Sequence, residues 1–299
     1  MKAFASVGCP RAAEKRRPSF AIMPPMATLR ALAFLLVIAA APAAADSAGL
    51  EPGGTGIVRE IVDGDTLVAE MTATEAATPA EAAMGSKIPI RLVGIQAPKL
   101  PLGRPDFDPW PLGEEAKAAL SGLALEQTLR LAFGGAKLDR HGRLLAQLYA
   151  PDGTWIQGEM LSRGMARVYT FADNRALAAD MYARERDARA AKRGIWAARF
   201  YAVRTPDELE KLTGTFQLVE GRVARAAVVR SRGYLNFGED WKTDFTVEIP
   251  PSAQNLFRRA GFDVGALSGK RVRVRGWVDS FHGPMIEANH PEQIEVLEE

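Results

Sequence analysis

The 299-residue sequence is poor in the residues that build stapled or metal-clustered folds, with one cysteine and three histidines. A lone thiol, Cys9, closes no internal disulfide and supplies no cysteine zinc cluster, which excludes disulfide scaffolds and zinc fingers. His141, His282 and His290 lie far apart in the chain and lack the spacing of a histidine metal site. Net charge is small as well, 38 Lys+Arg against 36 Asp+Glu, so the chain is no polyelectrolyte. What is present, 47% hydrophobic and 25% charged residues, is the composition of a globular protein long enough for two modest domains.

Residues 1–45 read as an address. Lys15, Arg16, Arg17 and Arg30 precede the uncharged stretch ALAFLLVIAAAPAAA, residues 31–45. As a helix this stretch would rise about 22 Å, short of the ~30 Å hydrocarbon core, and Ala43-Ala44-Ala45 before Asp46 suits signal peptidase. A cleaved secretory signal is therefore expected, with the start at Met1 or Met26 left open and no transmembrane helix in the mature chain. Cleavage after Ala45 removes Cys9, six basic residues and one acidic residue, leaving 32 basic against 35 acidic. A cysteine-free chain suits an oxidising compartment, so the expected location is the periplasm or the exterior.

After a flexible lead, residues 46–55, the runs GIVREIV and TLVAEM flank Asp63-Gly64-Asp65, a hairpin signal. Residues 72–87 are rich in Ala, Thr and Glu and read as a mobile insertion before a third strand, residues 88–95. Five prolines between residues 98 and 111 predict an extended loop over 96–112, followed by a helix over 113–127. Strands are predicted at 128–133 and 144–149 on either side of the charged loop KLDRHGR, then helices near 154–163 and 175–192. The pattern is an α+β unit over residues 56–204. Residues 205–299 return to short β-like runs with one amphipathic segment, 253–260, which predicts a second small closed barrel of the OB type.

Several residues carry chemistry. Asp63-Gly64-Asp65-Thr66 places carboxylates at a hairpin mouth, a hard-cation arrangement as well as an ordinary turn. Arg91 sits between the apolar Ile90 and Leu92 on a predicted strand and needs an anionic partner, carboxylate or phosphate. Arg143, in the basic loop, is placed to meet the same anion.

The segments IVDGDTLVAE, IPIRLVGIQAPK, GEEAKAAL, LDRHGRLLAQLYAPDGTWIQGEMLSRGMARVY and KRGIW, in order over residues 56–196, resemble the staphylococcal nuclease (thermonuclease-like) family. The resemblance implies a five-stranded OB-fold β-barrel with helices and a Ca²⁺-dependent phosphodiesterase acting on DNA and RNA. It implies that Asp65 is the first calcium-ligating aspartate and that Arg91 and Arg143 are the two arginines gripping the phosphate.

The chain departs from the family at the next motif. Where the family has Asp-Thr-Pro-Glu, supplying a second carboxylate ligand, a carbonyl ligand and the general base, this chain has Gln96-Ala97-Pro98-Lys99. Gln96 offers calcium only a neutral amide oxygen, and Ala97 keeps its backbone carbonyl. Lys99 in place of the base is cationic, and a charge of +1 about 6 Å from a divalent ion costs about 5 kcal/mol at an effective dielectric of 20. The expectation is a phosphate-gripping barrel with weak or absent Ca²⁺ binding, in which Lys99 joins Arg91 and Arg143.

Further candidates for nucleic-acid contact are Arg140 and His141 beside Arg143, and Arg271, Arg273 and Arg275, whose period-two spacing puts three guanidinium groups on one strand face. With 12 basic and 15 acidic residues over 206–299, the same stripe also suits pairing with Glu287 or Glu295. Three functions stay open: a binder of nucleic-acid or nucleotide phosphate with impaired hydrolysis, an active secreted nuclease recruiting a substitute carboxylate such as Asp106, Asp108, Glu114 or Glu115, and an envelope module that contacts a protein partner.

Overall fold

The Asp63-Gly64-Asp65-Thr66 turn begins the architecture. A computed structural model describes residues 49–240 and 242–297, which belong to one compact unit; the expected leader, 1–45, lies outside the described residues. Strand β1 (Glu51–Asp63) turns through Gly64 and Asp65 into β2 (Thr66–Ala73), with Asp63 paired to Thr66. Gly64 is required by contact: a Cβ there would lie 2.7 Å from both Ala97 Cβ and Ala116 Cβ.

β3 (Lys87–Leu92) pairs antiparallel with β2 and parallel with β6 (Leu144–Tyr149), and β5 (Thr128–Phe133) joins β6 back to β1. The barrel is closed in the order β1-β2-β3-β6-β5. Alternation sends Val58, Leu67, Ile90, Leu92, Leu131, Leu144 and Leu148 into its core, all fully buried. The predicted strand 88–95 is two strands. Gly94, at φ 86°, bends the chain after Leu92, and β4 (Gly94–Gln96) leaves the barrel to pair with β7 (Arg167–Tyr169).

Helix α1 (Gly113–Ala124) buries Ala116, Leu120 and Ala124. It stops short of residue 127 because the backbone of Glu126 and Gln127 is hydrogen-bonded to Val58 of β1 instead. Helices α2 (Ile156–Ser162) and α3 (Ala178–Ala190) follow β6 and flank β7. The segment read as a mobile insertion is tied down: Ala82 is fully buried, and Thr78 Oγ1 donates to the Gly53 carbonyl at 3.0 Å.

The second β unit contains β8 (Phe216–Arg222), β9 (Arg225–Val229), β10 (Arg232–Asn236), β11 (Thr246–Ile249), helix α4 (Gln254–Arg259), β12 (Arg271–Ser280), β13 (Pro284–Glu287) and β14 (Ile294–Val296). It is a curled seven-stranded sheet rather than a ladder closed by hydrogen bonds. The path runs β9-β10-β11-β13-β12, with β8 and β14 both on β12. Only Val223 and Ala224 separate β8 from β9, so chain continuity brings the two ends of the sheet round. Counting β8 and β9 as one bent strand, both units have the strand order 1-2-3-5-4 with a parallel 3/5 pair, β3 with β6 and β11 with β13. Among the described residues no helix is long and apolar enough to cross a membrane.

Candidate functional site

The hairpin carboxylates, β3, the strand end after β4 and the loop before β6 converge at one end of the first barrel. Register explains the convergence: Thr66 pairs with Arg91 across β2 and β3, and Arg91 pairs with Leu145 across β3 and β6, two residues beyond Arg143.

Asp65 is fully buried at the centre. Its Oδ2 accepts the Ala97 amide at 2.7 Å and the Lys99 ammonium at 2.7 Å, and its Oδ1 accepts Lys99 at 2.9 Å and Thr66 Oγ1 at 3.2 Å. Arg91 Nη2 stands 3.3 Å from Oδ2. Burial pushes this carboxyl up, but Arg91, Lys99 and the Ala97 N–H outweigh it and hold Asp65 well below the usual carboxylate range. Asp63 Oδ1 accepts the Asp65 amide at 3.0 Å, and its Oδ2 is 3.5 Å from Lys99 Nζ. Burial and the neighbouring Asp65 charge raise the Asp63 carboxyl above its ordinary value.

Lys99 therefore turns toward the hairpin carboxylates and bridges them. Arg91 is also turned inward, donating to the carbonyls of Asp65, Leu92 and Ile95. Arg143 is held by Asp139: its Nε and Nη2 are each 2.7 Å from Asp139 Oδ2, and its amide donates to Oδ1 at 3.0 Å. This fork aims a guanidinium that is one-third exposed. On the same loop Arg140 and His141 are exposed and contact each other, Nε to Nε2 at 3.1 Å.

Gln96 is turned away from the carboxylates. Its Oε1 accepts from Arg167 Nε at 2.9 Å and Nη2 at 2.6 Å, while Arg167 Nη1 donates to the Phe216 carbonyl of β8 at 3.2 Å. The amide oxygen considered for calcium is thus occupied by a buried guanidinium. Burial lowers Arg167 to about 10, the nearby Tyr201 and Glu185 acting against it. The expectation passed over Arg167, although Ala166 and Val168 flank it as Ile90 and Leu92 flank Arg91.

The arginine stripe of β12 gives way to a different arrangement. Arg275 is 1% exposed; it donates to Glu185 of α3 at 3.0 and 3.1 Å, to Glu295 at 2.6 Å and to the Val168 carbonyl at 3.1 Å. Arg273 pairs with Glu220 at 2.7 Å and Glu295 at 3.7 Å, and the half-exposed Arg271 also meets Glu220. Two of the three guanidinium groups thus face the interior of the molecule, where a nucleic-acid backbone does not reach.

A closed five-stranded barrel with carboxylates on its first hairpin, Arg91 on β3 and Arg143 in the loop before β6 defines the fold class as an α+β barrel of the OB type. Residues 89–198 match the family model described as staphylococcal nuclease homologue, and this chain carries a staphylococcal nuclease-like domain. The match includes Arg91, Gln96, Lys99 and Arg143 and begins after Asp65. Over 118 residues the chain is 34% identical to a probable staphylococcal-like nuclease (CAN1) of Oryza sativa subsp. japonica, covering 40% of this chain and 31% of that protein. Over 142 residues it is 29% identical to an uncharacterized endonuclease of Escherichia coli O157:H7, covering 48% of this chain and 76% of that protein. The chain thus spans about a third of the length of the plant relative.

Proposed function

We propose that this chain is an exported, nuclease-like protein that holds nucleic-acid phosphate with little or no calcium-dependent hydrolysis. The observation that carries the reading is the ammonium of Lys99 lying within 2.7 and 2.9 Å of the two oxygens of Asp65. A hard divalent cation needs several free oxygen donors. Here both oxygens of Asp65 already accept from Lys99, Ala97 and Thr66, and the Gln96 oxygen accepts from Arg167, so the donor set fits calcium poorly.

Charge arithmetic favours the same reading. The family's Asp, Glu and Ca²⁺ sum to zero, whereas Gln96 and Lys99 sum to +1 without a metal. These two positions are thus one charge more positive toward an anion than the family's metal-loaded pair, and the accessible cations beside them are Arg143, oriented by Asp139, and Arg140. Export rests on the signal-like residues 31–45.

A second reading, an active nuclease, is favoured by the names of the two relatives above, both of which are called nuclease or endonuclease. Cleavage of DNA and RNA by the purified protein, compared in calcium, magnesium, manganese and EDTA, separates the two. The proposal expects no metal-stimulated cleavage together with measurable strand binding. Robust calcium-stimulated cleavage that disappears in Arg143→Ala would overturn it in favour of the second reading.

A further inference from the structure

The sheet of the second unit ends on an edge that carries charge of one sign. Between Glu220 and Glu239 the chain has four arginines and no carboxylate, although residues 206–299 as a whole hold 12 basic and 15 acidic residues. This stretch contains β9 and β10, joined by Arg230 and Ser231, both at positive φ, 49° and 64°. Positive φ at both central residues makes the tight turn of a two-residue hairpin, closed by the Val229–Arg232 pair.

Register fixes which backbone groups are left over. Opposed residues in an antiparallel ladder alternate between hydrogen-bonded and non-bonded pairs, and the pair that closes such a turn is bonded. The next pair, Val228 with Gly233, is therefore non-bonded, and the Val228 N–H and C=O point away from β10. Among the described residues no strand covers that side, since the path through the sheet ends at β9. The preceding donor of the same parity, the Ala226 N–H, is closed off by Ser268 Oγ at 2.9 Å, so the edge opens at Val228. Val228 and Val229 are each 54% exposed, and strand geometry sends them to opposite faces. Arg225 and Arg230, at the two ends of this run, are exposed and have no ion-pair partner among the described residues.

We infer that this edge takes an extended segment of a partner protein, apolar at its centre and acidic at its ends, as an added strand beside β9. A free strand edge is a template for main-chain pairing, and the side chains of the incoming strand set its specificity. Exposed valines on both faces give that strand apolar contact, and the two arginines select carboxylates near its ends. The same charges decide against a second copy of this chain, which would crowd four arginines along one short pairing. An anionic lipid surface or a nucleic-acid backbone would meet the arginines but leave the Val228 N–H and C=O without a strand to pair with. The inference is independent of the phosphate reading and gives the second unit a binding role of its own.

Fluorescence anisotropy with a labelled, end-capped peptide, Glu-Glu-Val-Thr-Val-Glu-Glu, tests the edge on the whole protein. The comparison probes are the same peptide N-methylated at alternate residues, its counterpart with lysine for glutamate, and phosphatidylglycerol vesicles. The expected result is binding of the first peptide alone. Val228→Pro removes the outward N–H without touching the ladder to β10, and should weaken that peptide about five-fold or more. Arg225→Glu/Arg230→Glu should lose the glutamate peptide and gain the lysine one, an exchange that misfolding does not produce. Both arginines are exposed, so this variant carries the test even where Val228→Pro fails to fold. Absence of binding to the first peptide, equal binding of its N-methylated form, or affinity that charge reversal leaves unchanged overturns the proposal. Binding of the vesicles in place of the peptide overturns it in favour of a lipid surface.

Discussion

Arg275 of the second sheet and Glu185 of helix α3 form a fully buried ion pair, 3.0 Å between Nη2 and Oε1, 90 residues apart in the chain. Glu185 also accepts the Val168 amide at 2.6 Å and Arg189 Nη1 at 2.9 Å, so one carboxylate ties β7, α3 and β12 together. Arg175 with Glu292, at 3.2 Å, and Trp277 Nε1 with Tyr169, at 3.1 Å, add to the same seam. The barrel and the curled sheet consequently belong to one compact unit.

Removing one partner of a buried pair strands the other's charge. Arg275→Ala should cost about 3–5 kcal/mol in urea denaturation. Arg271→Ala, on the same strand but half-exposed, should change stability by about 1 kcal/mol or less. Similar losses for the two variants would contradict the burial argument.

Calcium should leave the melting temperature of the natural protein unchanged, because Lys99 occupies the oxygens of Asp65. In Gln96→Asp/Lys99→Glu two carboxylates are added and Lys99 no longer neutralises Asp65, so stability should fall in EDTA and rise with calcium, by about 2.7 kcal/mol at a hundred times the dissociation constant. Arg167 will compete for the new Asp at 96. Adding Arg167→Met should therefore strengthen the calcium response. Differential scanning calorimetry decides, and stabilisation of the natural protein by calcium would contradict the expectation.

Arg143 is the accessible cation of the site, and each phosphate contact contributes about one to the salt slope of binding. Arg143→Ala should lower the slope of log affinity against log salt by about one, for single strands of any sequence. An unchanged slope would remove Arg143 from the phosphate grip.

His290 is buried, with Nε2 2.8 Å from Thr170 Oγ1 and Nδ1 2.6 Å from Asn289 Oδ1. Burial, followed by the charges of Arg175 and Arg275, pulls its imidazole down to about 4 from 6.5. The unfolded chain binds the proton first, so stability is full above pH 6.5 and falls as pH drops toward 4, by up to about 3 kcal/mol. His290→Gln should flatten that slope; denaturation at pH 7 and pH 4.5 reads it, and parallel pH curves for the two proteins would rule His290 out.

Legibility in the sequence followed the range of each interaction. β5 and β6 run over the predicted residues because their apolar alternation is local and meets no competing contact. α1 ended early and the third strand broke because β1 claimed the helix end and Gly94 bent the backbone, both decided by distant neighbours. Arg91 was recognisable from its apolar flanks; Arg167 carries the same flanks and was overlooked, because nothing nearby in sequence names Gln96 as its acceptor. Period two placed Arg271, Arg273 and Arg275 on one face, and only packing against α3 turned that face inward.

From residue identity alone came the strand-rich halves and the hairpin with two aspartates, since these depend on neighbours a few positions away, while the resemblance to the nuclease family marked Gln96 and Lys99 as standing where that family has carboxylates. Only the tertiary structure decided where each charge went: Lys99 onto Asp65 across 34 residues, Gln96 onto Arg167 across 71, Arg275 onto Glu185 across 90. The physical reason is that a buried charge settles where strand register and packing bring it a partner, and that register and packing belong to the tertiary structure as a whole.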